Sequence, residues 1–180
     1  MAKIFRWLVR ILLFFVLMPV LILLWVYAED RLGSPELCTC PVDKVVVYKK
    51  HRLMELWRAD TLVRVYRVAL GRKPVGQKTQ KGDYKTPEGN YWLDYKNPKS
   101  VAYKSIHISY PNQTDRQRAR KRGVEAGGDI MIHGLMPHNR LAGKWHTFKD
   151  WTAGCIAVTN KEMDELWSCI KENTPISIYE

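Results

Sequence analysis

The chain has 180 residues, 46% hydrophobic and 26% charged, and its 29 Lys and Arg against 18 Asp and Glu give a formal charge of +11. This composition excludes a disordered or collagen-like chain, and the length allows one domain of ordinary size plus an appendage. The positive balance points to an anionic neighbourhood: a membrane surface, a phosphate-bearing envelope polymer or nucleic acid.

Residues 1–28 predict a cytoplasmic N-terminus and a single transmembrane helix. Lys3, Arg6 and Arg10 precede the uncharged run 11–28, which is long enough as a helix to cross a ~30 Å hydrocarbon core. Trp7, Trp25 and Tyr27 lie where an interfacial belt forms, and Glu29 and Asp30 follow the run. With the basic residues on the near side, the rest of the chain is expected outside the plasma membrane. The rival is a signal peptide cut after Val26-Tyr27-Ala28, which would release a secreted protein. Residues 29–43 read as a linker, with Gly33, Ser34, Pro35 and Pro41 and no periodicity. Cys38 and Cys40 fall in it, and no bridge among them, Cys155 and Cys169 is assigned.

From Lys44 onward the pattern is that of strands, and residues 44–180 form the expected domain. KVVVYKK, LMELW and TLVRVYRVAL are rich in β-branched and aromatic residues. Turns are expected at His51-Arg52 and Ala59-Asp60. Arg64 and Arg67 interrupt the third run as in a half-exposed antiparallel strand, and Gly71 ends it. Loop 71–89 carries four lysines but not the order of a phosphate-binding loop. Its Thr86-Pro87-Glu88-Gly89 turn feeds a strand over 90–93. SIHISY, at 105–110, alternates and predicts another strand. The sequence TDRQRARKRG, at 114–123, predicts a helix capped by Thr114 or Asp115 and stopped by Gly123. Its basic run is a solvated face or an anionic contact. No stacking module accompanies it, so a nucleic-acid partner is not expected.

A strand over 130–132 leads into His133. The loop 135–151 is long for a compact domain, and its Trp145, Phe148 and Trp151 either wall a groove or belong to the core. After Cys155 a strand covers 156–158. Thr159 and Glu162 form a capping box. Met163, Leu166, Trp167 and Ile170 recur at helical spacing, Asn173-Thr174-Pro175 stops the helix, and a last strand covers 176–179.

The stretch 131–160 carries the chemistry. His133-Gly134 is followed by Thr152-Ala153-Gly154-Cys155. A Cys on a tight turn exposes its thiol and brings backbone N–H groups to a substrate carbonyl. A nearby imidazole would lower the thiol pKa from its usual ~8.5. His133, His138, His146 and Cys155 offer an alternative as zinc ligands, but their spacing fits no compact ligand pattern and no metal is expected.

His-Gly, then Thr-x-Gly-Cys-Ile, then Asn160 resembles the signature of the L,D-transpeptidase catalytic domain (YkuD-type) family. The Thr86-Pro87-Glu88-Gly89 turn resembles that family's T-P-x-G. Ser109-Tyr110-Pro111-Asn112 and Gly127-Gly128-Asp129-Ile130 resemble its YafK-like murein branch. The likeness runs from Lys44 to Glu180. It implies a mostly-β sandwich with one or two helices and no cofactor. It also implies a peptidoglycan L,D-transpeptidase working through a cysteine thioester on stem peptides in cell wall biogenesis or remodelling. Cys155 is then the nucleophile and His133 the general base and acid. Gly154 N–H would bind the oxyanion, and the Gly134 carbonyl is the candidate for orienting the imidazole. Thr152, Asn160, Trp151 and Trp145 are the candidate substrate contacts. Ala153 and Ala157 depart from residues common in the family, His and Arg. Two alternatives therefore stay open: an L,D-carboxypeptidase or endopeptidase using the same site, and a non-catalytic module that binds an envelope polymer.

Overall fold

The computed structural model describes residues 6, 7, 11, 13–22, 24 and 41–180. The chain divides into two compact units, Met1–Leu37 and Cys38–Glu180. In the first, residues 13–22 are helical and their apolar side chains are exposed. Among the described residues no helix is long and apolar enough to cross a membrane. The expected span 11–28 is described only in part. Trp25, Tyr27, linker residues 29–40, Cys38 and Cys40 lie outside the described residues.

The second unit is mostly β. Its strands are β1 (Lys44–Tyr48), β2 (Leu53–Arg58), β3 (Thr61–Arg67), β4 (Gly89–Ser100), β5 (Tyr103–Ile108), β6 (Met131–His133), β7 (Ile156–Ala157) and β8 (Thr174–Tyr179). The helices are α1 (Gln113–Lys121) and α2 (Asn160–Cys169), and a 3₁₀ segment spans Pro137–Phe148. The unit is mostly β with few helices, as expected, and its strands form one curled sheet. All eight strands share one sheet in the order β3-β2-β1-β8-β4-β5-β6-β7. The sheet curls because the chain after β3 leaves β2 and crosses to the opposite edge. Ala69 and Ala157 exchange backbone hydrogen bonds of 3.0 and 2.8 Å, and Thr152 N–H donates to Leu70 O at 3.1 Å. The edge of β7 is thereby partly paired by the chain that follows β3.

Local chemistry explains the elements. Ala59 and Asp60 both have positive φ, 44° and 62°, as a two-residue hairpin turn matched to strand twist requires. In α2, Thr159 Oγ1 accepts from Glu162 N–H while Glu162 Oε2 accepts from Thr159 N–H, a box that contributes about 1 kcal/mol. The helix ends at Cys169 rather than at Asn173, the backbone being extended already at Ile170, and Thr174, which precedes a proline, is biased to extended backbone. It opens β8, which runs parallel to β1 and antiparallel to β4. In α1 the cap is Asn112, and Asp115 is its third residue. β4 runs on to Ser100 through two register shifts against β5, and these irregularities accommodate Pro98.

The core joins the inner positions of β1 and β2, including Val45, Val47, Met54 and Leu56, to Ile132, Ile156 and the α2 stripe of Met163 and Leu166. Each such side chain contributes about 1.5–3 kcal/mol by burial. This anchors β6 and β7, the two strands that bear the site.

Candidate active site

β6 and β7 are parallel neighbours, with Ile132 beside Ile156 and His133 beside Ala157. Continuing that register sets Cys155 beside Met131. Side chains two apart on a strand share a face, so His133 and Cys155 leave the same face of adjacent strands. Strand spacing and rise put their Cα atoms about 8 Å apart. The sulfur is partly buried. It lies 3.6 Å from Asp129 O, to which the thiol can donate.

His133 is buried, and its Nδ1 lies 2.7 Å from Gly134 O. A carbonyl oxygen only accepts, so Nδ1 holds the proton and Nε2 keeps its lone pair. Burial lowers the imidazole pKa, and the Gly134 hydrogen bond works weakly against it. The resting ring is therefore a neutral base with a fixed tautomer.

Gly134 is glycine for steric reasons. A Cβ there would stand 2.7 Å from Asn160 Oδ1 and 3.2 Å from Ala102 O. Asn160 Oδ1 accepts from Leu135 N–H at 2.8 Å, tying the chain after His133 to the first turn of α2. Gly134→Ala should displace this amide and tilt the imidazole. The expected cost is about 1–3 kcal/mol, as for other overpacked sites, read as a lower denaturation midpoint, with a loss of turnover that exceeds the loss of folded protein.

The turn before Cys155 is pinned by one hydroxyl. Thr152 Oγ1 donates to Cys155 O at 2.7 Å and accepts from Gly154 N–H at 3.1 Å. Gly154 has φ +137°, and a Cβ there would meet Lys85 O at 2.7 Å. The residue before the Thr86-Pro87 turn thus backs the nucleophile turn directly. Asp150, just upstream, accepts from Leu70 N–H at 2.9 Å and pairs with Arg52 at 2.8 Å. Sequence reasoning overlooks this clamp, because Arg52 and Asp150 are 98 residues apart.

Several expectations change here. Gly154 N–H is donated to Thr152 and does not point at a substrate oxygen, because the tight turn folds the hydroxyl back onto it. The Thr152 hydroxyl is consumed within the turn, and Asn160 Oδ1 is held by the backbone after His133, so both position the site. Trp145 is 75% exposed and stacks on Phe148 at 5.3 Å. Trp151 does face His133, with ring centroids 5.7 Å apart. The thiol pKa is raised, chiefly by burial and further by Asp129, while the Met131 N–H and Lys78 pull the other way. An imidazole-lowered thiolate is not the resting state.

One residue near the site carries no sequence signal beyond being a possible zinc ligand. His146 is buried on the 3₁₀ segment, 6.5 Å from the Trp151 ring. Burial first, then the charge of His133, hold its pKa down to about 4. His133, His138, His146 and Cys155 do not form a ligand set. Among the described residues no group of three or more His, Cys, Asp or Glu could hold a metal ion.

The model of the L,D-transpeptidase catalytic domain (YkuD) matches residues 43–178. The chain belongs to the L,D-transpeptidase catalytic domain family. A protein of Escherichia coli (strain K12) with the proposed designation L,D-transpeptidase YafK is 28% identical over 150 residues, 80% of this chain and 50% of that protein. The chain thus spans about half the length of the curated relatives it matches. Among solved structures, the helical cell shape determining protein Pgp2 of Campylobacter jejuni aligns with a TM-score of 0.60 and 22% identity. That alignment covers 86% of this chain and 54% of Pgp2. Bd1075 of Bdellovibrio bacteriovorus aligns at 0.54 and 23%, over 78% and 48%. These two likenesses concern the L,D-transpeptidase fold.

Proposed function

We propose that this L,D-transpeptidase-family domain transfers an acyl group of a peptidoglycan stem peptide through a thioester on Cys155. The observation that carries the reading is the β6–β7 register. It sets Cys155 on the same face as a neutral His133 whose free nitrogen is Nε2. As Sγ attacks the amide carbonyl at the L-centre of the diamino acid, Nε2 takes the thiol proton. The carbonyl oxygen becomes an oxyanion, for which Cys155 N–H is the donor in this reading, a contribution of about 3–4 kcal/mol in other enzymes. Collapse of the intermediate breaks the C–N bond, and His133 returns its proton to the departing D-amino acid. The thioester then passes its acyl group to an amine, giving a crosslink, or to water, giving hydrolysis. No metal or cofactor enters these steps.

The test is incubation of residues 44–180 with defined tetrapeptide and pentapeptide muropeptides, followed by product masses. Loss of the terminal D-residue with gain of an acceptor amine supports transfer, and loss with gain of water supports the hydrolytic form. Unchanged substrate sinks both. We also propose that run 11–28 holds the domain on the outer side of a bacterial-type plasma membrane. Protease added to intact spheroplasts should then digest residues 44–180, and full protection would reject this placement.

A further inference from the structure

Three residues around His133 hold buried polar atoms with no hydrogen-bond partner in the protein: Ser105 Oγ, both ring nitrogens of His146, and Trp151 Nε1. They come from separate segments, β5, the 3₁₀ segment and the chain before Thr152. Ser105 pairs directly with His133 across the antiparallel β5–β6 ladder, so the two side chains leave one face with Cβ atoms roughly 5 Å apart. Trp151 meets the His133 ring edge-on, and His146 meets Trp151 the same way. Ser105 is 1% and His146 7% exposed.

Buried polar atoms without partners are costly and scarce in native interiors. Several other buried polar side chains of this unit have partners. Asp115 takes the Tyr91 hydroxyl at 3.0 Å, Glu165 the Tyr66 hydroxyl at 2.9 Å, and Lys78 meets Asp83 at 2.7 Å. Ser105, His146 and Trp151 instead gather around one residue, His133.

Its chemistry selects a partner. A hydroxyl donates and accepts, a neutral imidazole has one donor and one acceptor, and an indole only donates. The set carries no fixed charge. Its mixed donors and acceptors complement an amide, which offers one C=O and one N–H, whereas a carboxylate has no donor for the imidazole's acceptor nitrogen. We propose that Ser105, His146 and Trp151 form a subsite that binds a backbone amide of the acyl-donor peptide beside the scissile bond. The inference rests on the thioester reading above, and it assigns these residues to donor recognition.

Two measurements test it. The first is turnover of a tetrapeptide muropeptide by His146→Phe, His146→Gln and Ser105→Ala. The second is calorimetric binding of the same peptide to Cys155→Ala protein with and without those changes. His146→Phe keeps a ring against Trp151 but removes both polar atoms. It should raise KM and weaken binding about ten- to a hundredfold, one to two hydrogen bonds' worth, with little change in kcat. His146→Gln, which restores a donor and an acceptor, should recover part of the loss. Ser105→Ala, a smaller change that tests the same subsite if His146→Phe folds poorly, should weaken binding several-fold. The rate at which iodoacetamide alkylates Cys155 should stay within twofold of wild type in all three. Unchanged binding in both Ser105→Ala and His146→Phe would overturn the proposal. So would an alkylation rate that falls in proportion to turnover, since His146 would then act on the thiol through His133. If the unaltered protein binds the peptide but never turns it over, the thioester reading fails while the binding data still decide the subsite.

Discussion

Cys155→Ser is expected to lower turnover of a muropeptide donor by more than about a thousandfold, the scale seen when a catalytic nucleophile is removed elsewhere. The reason lies in how the site is poised. Burial raises the thiol pKa and lowers that of His133, so the resting pair is neutral and the proton moves as the bond forms. A hydroxyl holds its proton far more tightly than a thiol, and the whole difference enters the barrier. The fold should survive. The thiol donates only a long 3.6 Å hydrogen bond to Asp129 O, and the turn is held instead by Thr152. Thermal midpoints of the two proteins should therefore agree closely. A serine variant with near-normal turnover would mean that another group attacks.

His133→Gln should cost about 10²–10⁴ in turnover, the range for loss of a positioned general base. It should also slow alkylation of Cys155 at neutral pH, because the thiol loses the base that takes its proton. The pH profile supplies the sign. The native site disfavours protonated His133, so the acid limb of kcat/KM should lie below the ordinary imidazole value near 6.5. Activity should fall only as that lowered pKa is crossed. His133→Gln should erase that limb. Stability follows the same sign. His133 and His146 both take up protons more readily when unfolded, and His146 is held down to about 4. Folding stability should therefore decline as pH drops below about 6.5 towards 4. An acid limb above 6.5 would contradict the assignment of His133 as a buried neutral base.

Much of this was legible in the residues. Alternation and β-branched content mark β1 to β3, the capping box marks the start of α2, and the His-Gly and Thr-x-Gly-Cys stretches mark the family. What stayed hidden depends on partners distant in sequence. Local periodicity carries no trace that β8 inserts between β1 and β4, or that the chain at Ala69 crosses to Ala157. Pro98 hid the second half of β4, because tolerance of a proline depends on where the ladder shifts register. Gly154 looked like an oxyanion donor until Thr152 was seen to claim its N–H. Ser105 and His146 sit in unremarkable sequence. Their environment comes from the β5–β6 pairing and from the 3₁₀ segment, which no short motif encodes.

The most direct test of the central claim is the intact mass of residues 44–180 mixed with a tetrapeptide donor and no acceptor amine, quenched in acid. The account predicts a gain equal to the donor minus its terminal D-residue, labile to hydroxylamine. Peptide mapping should place it on Cys155, and it should be absent from Cys155→Ala protein. Product formation at the unaltered rate with the adduct on any other residue, or by Cys155→Ala protein, would contradict it.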